Sequence, residues 1–315
     1  MEEISKKPTW ARLVIDGLGL LGGSVALAAR KAGAADSFVG LDLNPENARR
    51  AVELGQIDRK AADFADSLAG LPADERPILI LAAVPVNAIG RELAAAVNAV
   101  RQAQITRRTV VLTDTGSVQS GIFDEICRKI APPWPENVVY YGSHPIAGSE
   151  KSGPDAATER LFAGKTVVMT TPDESETESP DPAGTKGNAG AFALLAKFWE
   201  SFGAFVRTLG TKEHDAILAE TSHLAHLTAC LLAGSVSPEH FPFAGTGLAD
   251  TTRLAAGNPD VWADIFERNR LSILEAAARW EETLWRWKSA LDTDDIEAIK
   301  DLLTEAKRRR DALGN

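Results

Sequence analysis

The stretch VIDGLGLLGGSVALAARKAG, from Val14 to Gly33, constrains the fold more than any other part of the chain. A short apolar run ends in Asp16, Gly17, Gly19 and Gly22 follow at G-x-G-x-x-G spacing, and a helical pattern of small residues continues to Gly33. This reads as a strand, a tight turn and a helix. The turn needs Gly17 for its backbone angles, Gly19 so that a pyrophosphate can approach the main chain, and Gly22 so that helix and strand pack closely. An anion held there sits on the helix N-terminus, where unpaired N–H groups and the helix dipole favour negative charge. The pattern has the context that gives it meaning. FVGL, Phe38 to Leu41, reads as a second strand and delivers Asp42 about 20 residues beyond the last glycine, where an acid binds ribose hydroxyls. A dinucleotide site is therefore expected at Gly17, Gly19, Leu20, Gly22 and Asp42.

With 315 residues the chain is long enough for about two domains. A formal net charge of -10 argues against nucleic-acid or anionic-membrane binding, which rely on basic surface. An anionic substrate then needs local positive charge. Cys127 and Cys230 are far apart and form no C-x-x-C pair, so neither a disulfide framework nor a thiolate zinc site is expected. The start, MEEISKKPTW, has no apolar core of a signal peptide, and no run approaches about 18 uninterrupted apolar residues. The expectation is a soluble, unprocessed, cytoplasmic protein.

Asn44 and Pro45 cap and open a helix closed by Gly55. Its Arg49 and Arg50 offer a seat for the 2′-phosphate of NADP, but Asp42 repels that phosphate, so NAD is the expected cofactor. ILILAAVPV from Ile78 is a buried strand run ended by Val84 and Pro85, which line the cofactor crevice. A helix over Asn87 to Val100 and the strand TVVLTD follow, and TGSV then puts Ser117 on a loop at the same sheet edge. VVYYGSHP repeats the arrangement, one strand from Val138 leading to His144 and Pro145. KTVVMTTP from Lys165 is a further strand, the acidic Pro/Gly-rich segment after it is a solvated loop, and AFVRTLG closes the strand pattern. From Thr211 everything reads helical. One helix spans Lys212 to Gly234. Asn258 and Pro259 open a long one carrying a stripe of Trp262, Phe266, Ile273, Ala277, Trp280, Leu284, Trp287 and Leu291. The boundary is placed near 211, with a nucleotide-binding domain over 1–210, a helical domain over 211–315, and a homodimer formed through the second.

His144 lies among Ser143, Ser149 and Glu150 in GSHPIAGSEKSG. An alcohol oxidation needs a base that takes the hydroxyl proton as hydride leaves, and neutral histidine suits that near pH 7. Ser117 can orient the imidazole or the substrate hydroxyl. Glu220, His223 and His226 recur three apart, on nearly one helix face, which reads as a substrate-facing polar patch; without a matching second ligand helix, no metal is expected. Arg253 in ADTTRLAAGNPDVW is the best local charge for a carboxylate, an ion pair with Asp250 being its plainer role.

Taken together, GLGLLGGS at Gly17, DLNPENARRAVELGQID at Asp42, TDTGSV at Thr113, GSHPIAGSEKSG at Gly142, SHLAH at Ser222 and DTTRLAAGNPDVW at Asp250 resemble, in order, the prephenate and arogenate dehydrogenases of tyrosine biosynthesis. The resemblance implies a modified Rossmann-type nucleotide-binding domain followed by an all-α dimerisation domain. It also implies oxidative decarboxylation of a cyclohexadienyl substrate with NAD(P). By resemblance, His144 matches the catalytic histidine that hydrogen-bonds the ring hydroxyl, Ser117 the serine that assists it, and Arg253 an arginine that binds a substrate carboxylate. His226 and Glu150 match polar residues that line or gate the pocket. The acidic insert after Pro172 departs from the family pattern, and no regulatory or mutase segment can be fitted to the chain.

Overall fold

Strand β1 (Arg12–Asp16) is buried along its whole length, and the fold is built outward from it. The computed structural model describes residues 8–148, 151–171 and 189–314; Ser149, Glu150 and the acidic segment lie outside them. By its internal contacts the chain forms two units, one taking residues to Asp215 together with Ala256–Arg268, the other Ala216–Ala255 together with Asn269 onward.

In the first unit β1 leads through the glycine turn to α1 (Leu20–Lys31), and then to β2 (Phe38–Leu41), α2 (Pro45–Glu53), β3 (Arg59–Lys60) and α3 (Phe64–Ser67). The chain continues through β4 (Ile78–Ala82), α4 (Val86–Gln102), β5 (Val110–Asp114), α5 (Ile122–Lys129) and β6 (Val138–Tyr140). These strands make a six-stranded sheet in the order β3-β2-β1-β4-β5-β6, every pairing parallel. The central strands β1, β4 and β5 are buried throughout, as a sheet covered on both faces requires, which is why their sequences are apolar runs and not alternating patterns. Leu13 and Ile15 join Val25 and Ala29 of α1 in one core; Val14 and Ile80 join Ile89, Leu93 and Val97 of α4 in the other. This is the α/β architecture expected from the glycine turn.

VVYYGSHP is not one strand. It divides at Tyr141, so that β7 (Gly142–Pro145) leaves the parallel sheet and pairs antiparallel with β8 (Thr166–Thr171), which pairs parallel with β9 (Phe205–Gly210). The reason is local. A Cβ at Gly142 would lie 1.8 Å from Oε1 of Gln119 and 2.3 Å from Oγ1 of Thr170, so a larger residue at this exit would have to displace both side chains. Helix α6 (Ala189–Glu200) covers the first core with Leu195, Phe198 and Trp199.

The expected single helix after Thr211 is interrupted. Helix α7 (Thr211–Leu218) passes into a π-helical turn, Ala219–His223, before α8 (Leu224–Ser235). The turn's wider winding breaks the three-residue phase, so Glu220 faces solvent and pairs with Arg279 at 2.5 Å while His223 and His226 are buried. The long stripe helix is also divided: α10 (Pro259–Arg268) stops at Asn269, and α11 (Arg270–Asp292) begins after it. Trp262, Ile265 and Phe266 of α10 pack on the α4 side of the parallel sheet, in the first unit. The remaining stripe belongs to the second unit, with α9 (Thr246–Thr252) and α12 (Ile296–Leu313). The helical run Thr211–Ser235 is long and apolar enough, by length and composition, to cross a membrane, with mean hydropathy 1.3.

Candidate active site

The glycine turn has the shape an anion needs. Gly17 sits at φ +90°, and a Cβ there would come within 2.4 Å of the Ala83 carbonyl oxygen. At Gly22 it would lie 1.8 Å from the Gly17 carbonyl oxygen, whereas at Gly19 it would meet nothing within 4 Å. The first and third glycines are therefore packing requirements and the second opens onto space. Gly19 caps α1 with no side-chain hydrogen bond, and the first helical turn from Leu20 holds no acid. Its leading N–H groups have no intrahelical acceptor and are left to a ligand or water.

Asp42 is held against this turn. Its carboxylate accepts from the Leu18 N–H at 2.8 Å, the Asn44 N–H at 2.8 Å and Nδ2 of Asn47 at 3.3 Å. Val84 approaches the turn from the end of β4, its Cγ1 3.1 Å from a Cβ placed on Gly17, and Pro85 caps α4. The cofactor candidates thus meet at the carboxyl edge of the parallel sheet. Open space at Gly19, uncapped amides and a fixed carboxylate together fit a dinucleotide. Arg49 is paired with Glu46 and Glu53, and Arg50 with Asp155 at 2.6 Å. Both guanidiniums are already committed to carboxylates.

The second sheet supplies the other half. His144 is a residue of β7, and β9 feeds directly into α7, which carries His214 and Asp215 in its first two turns. Nδ1 of His144 lies 2.9 Å from Nε2 of His214, and Nδ1 of His214 lies 2.7 Å from Oδ1 of Asp215. All three are buried. The carboxylate also accepts the Gln119 N–H and the Ser120 N–H, each at 2.8 Å. An ionised carboxylate only accepts, so His214 donates through Nδ1 and accepts at Nε2. His144 in turn donates through Nδ1, and its lone pair falls on Nε2. One carboxylate at the end of the chain thus sets both tautomers, in the manner of an orienting acid behind a base.

Ser117, half-buried, sits on the loop after β5 that Asp215 clamps. The same loop is tied down by Asp114, whose Oδ1 accepts from the Gly116 N–H at 2.7 Å and Nε2 of Gln119 at 3.0 Å, while Oδ2 accepts from the Tyr140 hydroxyl at 2.9 Å. Burial pushes the Asp114 carboxyl up to about 6, the hydrogen bonds from Gly116, Gln119 and Tyr140 offsetting part of the rise. Beside His144, Nε1 of Trp199 donates to the Ser143 hydroxyl at 3.1 Å, and that hydroxyl shares a 2.8 Å hydrogen bond with the Thr113 hydroxyl.

His214 and Asp215 were not among the residues singled out from sequence. Their signal was present in KEHD, two chemistry-bearing residues opening the helix that follows the last strand, but a helix start rich in charge reads first as solvated surface. The other candidates lie in the second unit. His226 is buried, which pushes its pKa down, and Nδ1 of His223 lies 3.0 Å from Nδ2 of Asn269. Arg253 is exposed and makes no ion pair with Asp250 or any other carboxylate among the described residues. Glu150 lies outside those residues. Among them no group of three or more His, Cys, Asp or Glu side chains converges as a metal site.

Known proteins resemble the chain along nearly its whole length. Residues 25–207 match the family model described as prephenate dehydrogenase, nucleotide-binding domain, and residues 210–305 match that of prephenate dehydrogenase, dimerization domain. The chain is 32% identical over 311 residues to the cyclohexadienyl dehydrogenase of Zymomonas mobilis, covering 96% of this chain and 95% of the relative. It is 28% identical over 314 residues to the prephenate dehydrogenase of Bacillus subtilis, covering 96% of this chain and 76% of that one. The solved structure of A. aeolicus prephenate dehydrogenase in complex with hydroxyphenyl propionate and NAD+ superimposes with a TM-score of 0.80 at 27% identity, covering 98% of this chain and all of the other. Two family models spanning most of the sequence, and a near full-length relative, place the chain in the prephenate dehydrogenase family.

Proposed function

We propose that this protein catalyses the NAD-dependent oxidative decarboxylation of prephenate to 4-hydroxyphenylpyruvate, a step of tyrosine biosynthesis. The observation that carries the reading is the buried His144–His214–Asp215 chain, tied through Asp215 to the loop bearing Ser117. When bound on the glycine turn, NAD supplies the hydride acceptor. His144 takes the proton of the ring hydroxyl at Nε2 as hydride leaves the carbinol carbon. The C–O bond becomes a carbonyl, the ring carboxylate departs as CO2, and its electron pair aromatises the ring. The oxygen then carries the charge and recovers its proton from His144, so no proton is gained or lost overall. His214 and Asp215 stabilise the transient imidazolium by keeping a carboxylate two hydrogen bonds away. Ser117 orients the hydroxyl; the family resemblance assigns a substrate carboxylate to the guanidinium of Arg253 and pocket roles to His226 and Glu150.

Asp42 and the committed Arg49 and Arg50 support NAD over NADP, because a 2′-phosphate would meet a carboxylate and find neither guanidinium available. Arogenate is the second reading, a cyclohexadienyl acid like prephenate, in keeping with the name of the Zymomonas relative, cyclohexadienyl dehydrogenase. The two substrates differ only in a keto or amino side chain. We further read the protein as a cytoplasmic homodimer joined through its helical domain. Exposed Leu271, Leu274, Trp285 and Leu291 on α11 support an apolar partner surface. The test is incubation of purified protein with NAD and either prephenate or arogenate. NADH, CO2 and 4-hydroxyphenylpyruvate from prephenate are expected, and absence of turnover with both acids would overturn the reading.

A further inference from the structure

Asp16 stands one residue before the glycine turn, and the mechanism above does not use it. It ends β1 in register with Leu41 of β2 and Ala82 of β4, at the sheet edge where the turn begins. The residue is only 7% exposed, and among the described residues its Oδ2 has no hydrogen-bond partner. A carboxylate so placed keeps its charge only against a large loss of hydration. The charged groups that face it are Glu92 and Arg91 on α4 and Asp42 after β2. Two of these are acids, and Arg91, the one cation facing it among the described residues, already pairs with Glu92 at 2.7 Å. Burial first, then Glu92 and Asp42, push the Asp16 carboxyl up to about 7. A pyrophosphate on the α1 N-terminus, whose cap Gly19 is three residues along, would add two negative charges to this corner.

We propose that Asp16 couples dinucleotide binding to proton uptake: NAD is accepted with the Asp16 carboxyl neutral, and ionisation of that carboxyl weakens binding. The inference rests on the glycine turn being the dinucleotide site. The sign follows from like-charge repulsion. At low pH Asp16 is already protonated and binding is indifferent to pH. Above its midpoint the free protein has lost the proton, the complex must recover it, and affinity falls by up to tenfold per pH unit until the complex itself ionises.

Calorimetric titration of NAD into the purified protein, in buffers of different ionisation enthalpy, reads both affinity and protons exchanged. From about pH 6 to about pH 9 the expected result is a dissociation constant rising roughly tenfold, with uptake of part of a proton greatest between about pH 7 and 8. Asp16→Asn should hold near the low-pH affinity of the native protein across that range, within about twofold, with the uptake gone. Glu92→Gln removes a neighbouring charge without touching Asp16, and should move the midpoint to lower pH while the uptake persists. Affinity independent of pH in the native protein, or uptake that survives in Asp16→Asn, would overturn the proposal. Failure of the native protein to bind NAD at any pH would overturn the dinucleotide reading and this inference with it, whereas loss of binding in Asp16→Asn alone would overturn only the inference.

Discussion

Asp215 accepts hydrogen bonds from His214, Gln119 and Ser120, so a single carboxylate orients the imidazole pair and clamps the serine loop. His144→Asn keeps a polar side chain in β7 but removes the proposed base; kcat should fall by about 10²–10⁴ with substrate binding largely kept, as single-turnover and binding measurements would show. In Asp215→Asn one of the two acceptor oxygens becomes a donor and must face either His214 or a backbone N–H. The expected outcome is a kcat lower by roughly tenfold or more, with a displaced acidic limb in the pH profile and an NAD affinity close to native. A merely structural role would leave that limb in place. Asp114 bears on stability. Its carboxyl stands at about 6 in the folded protein against 3.8 in its ordinary state, so the native state holds the proton more tightly and folding stability falls as pH rises through that interval. The loss should be on the order of 3 kcal/mol, complete by about pH 7. Denaturant titrations from pH 4 to pH 7.5 should show a shallower decline in Asp114→Asn; an identical decline would contradict the assignment. His144 and Ser117 were legible as residues because their neighbours in sequence mark strand exits. His214 and Asp215 were not, since their role arises only when α7 is carried against β7.

The glycine turn separates two requirements that its spacing alone leaves merged. A methyl at Gly22 would collide with the Gly17 carbonyl at 1.8 Å, while one at Gly19 would meet open space. Gly22→Ala should therefore lower the melting temperature, by an amount equivalent to several kcal/mol, and weaken NAD binding only as a consequence. Gly19→Ala should leave stability within about 1 kcal/mol and reduce NAD affinity directly, because the added carbon fills the approach to the amides. Comparable melting losses in the two variants would contradict this division. The elements read from periodicity held where one rule sufficed, as in β1, β4 and β5, whose apolar runs follow from burial on both faces. They failed where a local event interrupted a continuous pattern. VVYYGSHP runs buried through Tyr141 into GSHP, yet the chain changes sheets at Gly142, where a Cβ would meet Gln119 and Thr170. The run from Thr211 keeps its helical composition across Ala219–His223, and the π turn is invisible in it.

At the scale of the whole chain, the stripe from Trp262 to Leu291 divides its work. Trp262, Ile265 and Phe266 complete the core of the nucleotide-binding unit, and only the part beyond Asn269 is available to the helical unit. On α11, Leu271, Leu274, Trp285 and Leu291 remain exposed. Light scattering on the purified protein should give twice the chain mass, and charged replacements such as Trp285→Glu with Leu274→Glu should shift it toward the monomer; a native monomer would remove the dimer reading. By itself the sequence determined the class of the first unit, the position of the dinucleotide turn and the family, because these rest on short-range signals: glycine spacing, apolar runs, and blocks that recur in order. Tertiary structure alone decided that β7 joins a second sheet, that α10 returns to the first unit, and that Asp215 stands behind both His144 and the Ser117 loop. Each of these depends on contacts between residues far apart in the chain, where close packing and hydrogen-bond satisfaction override the local pattern.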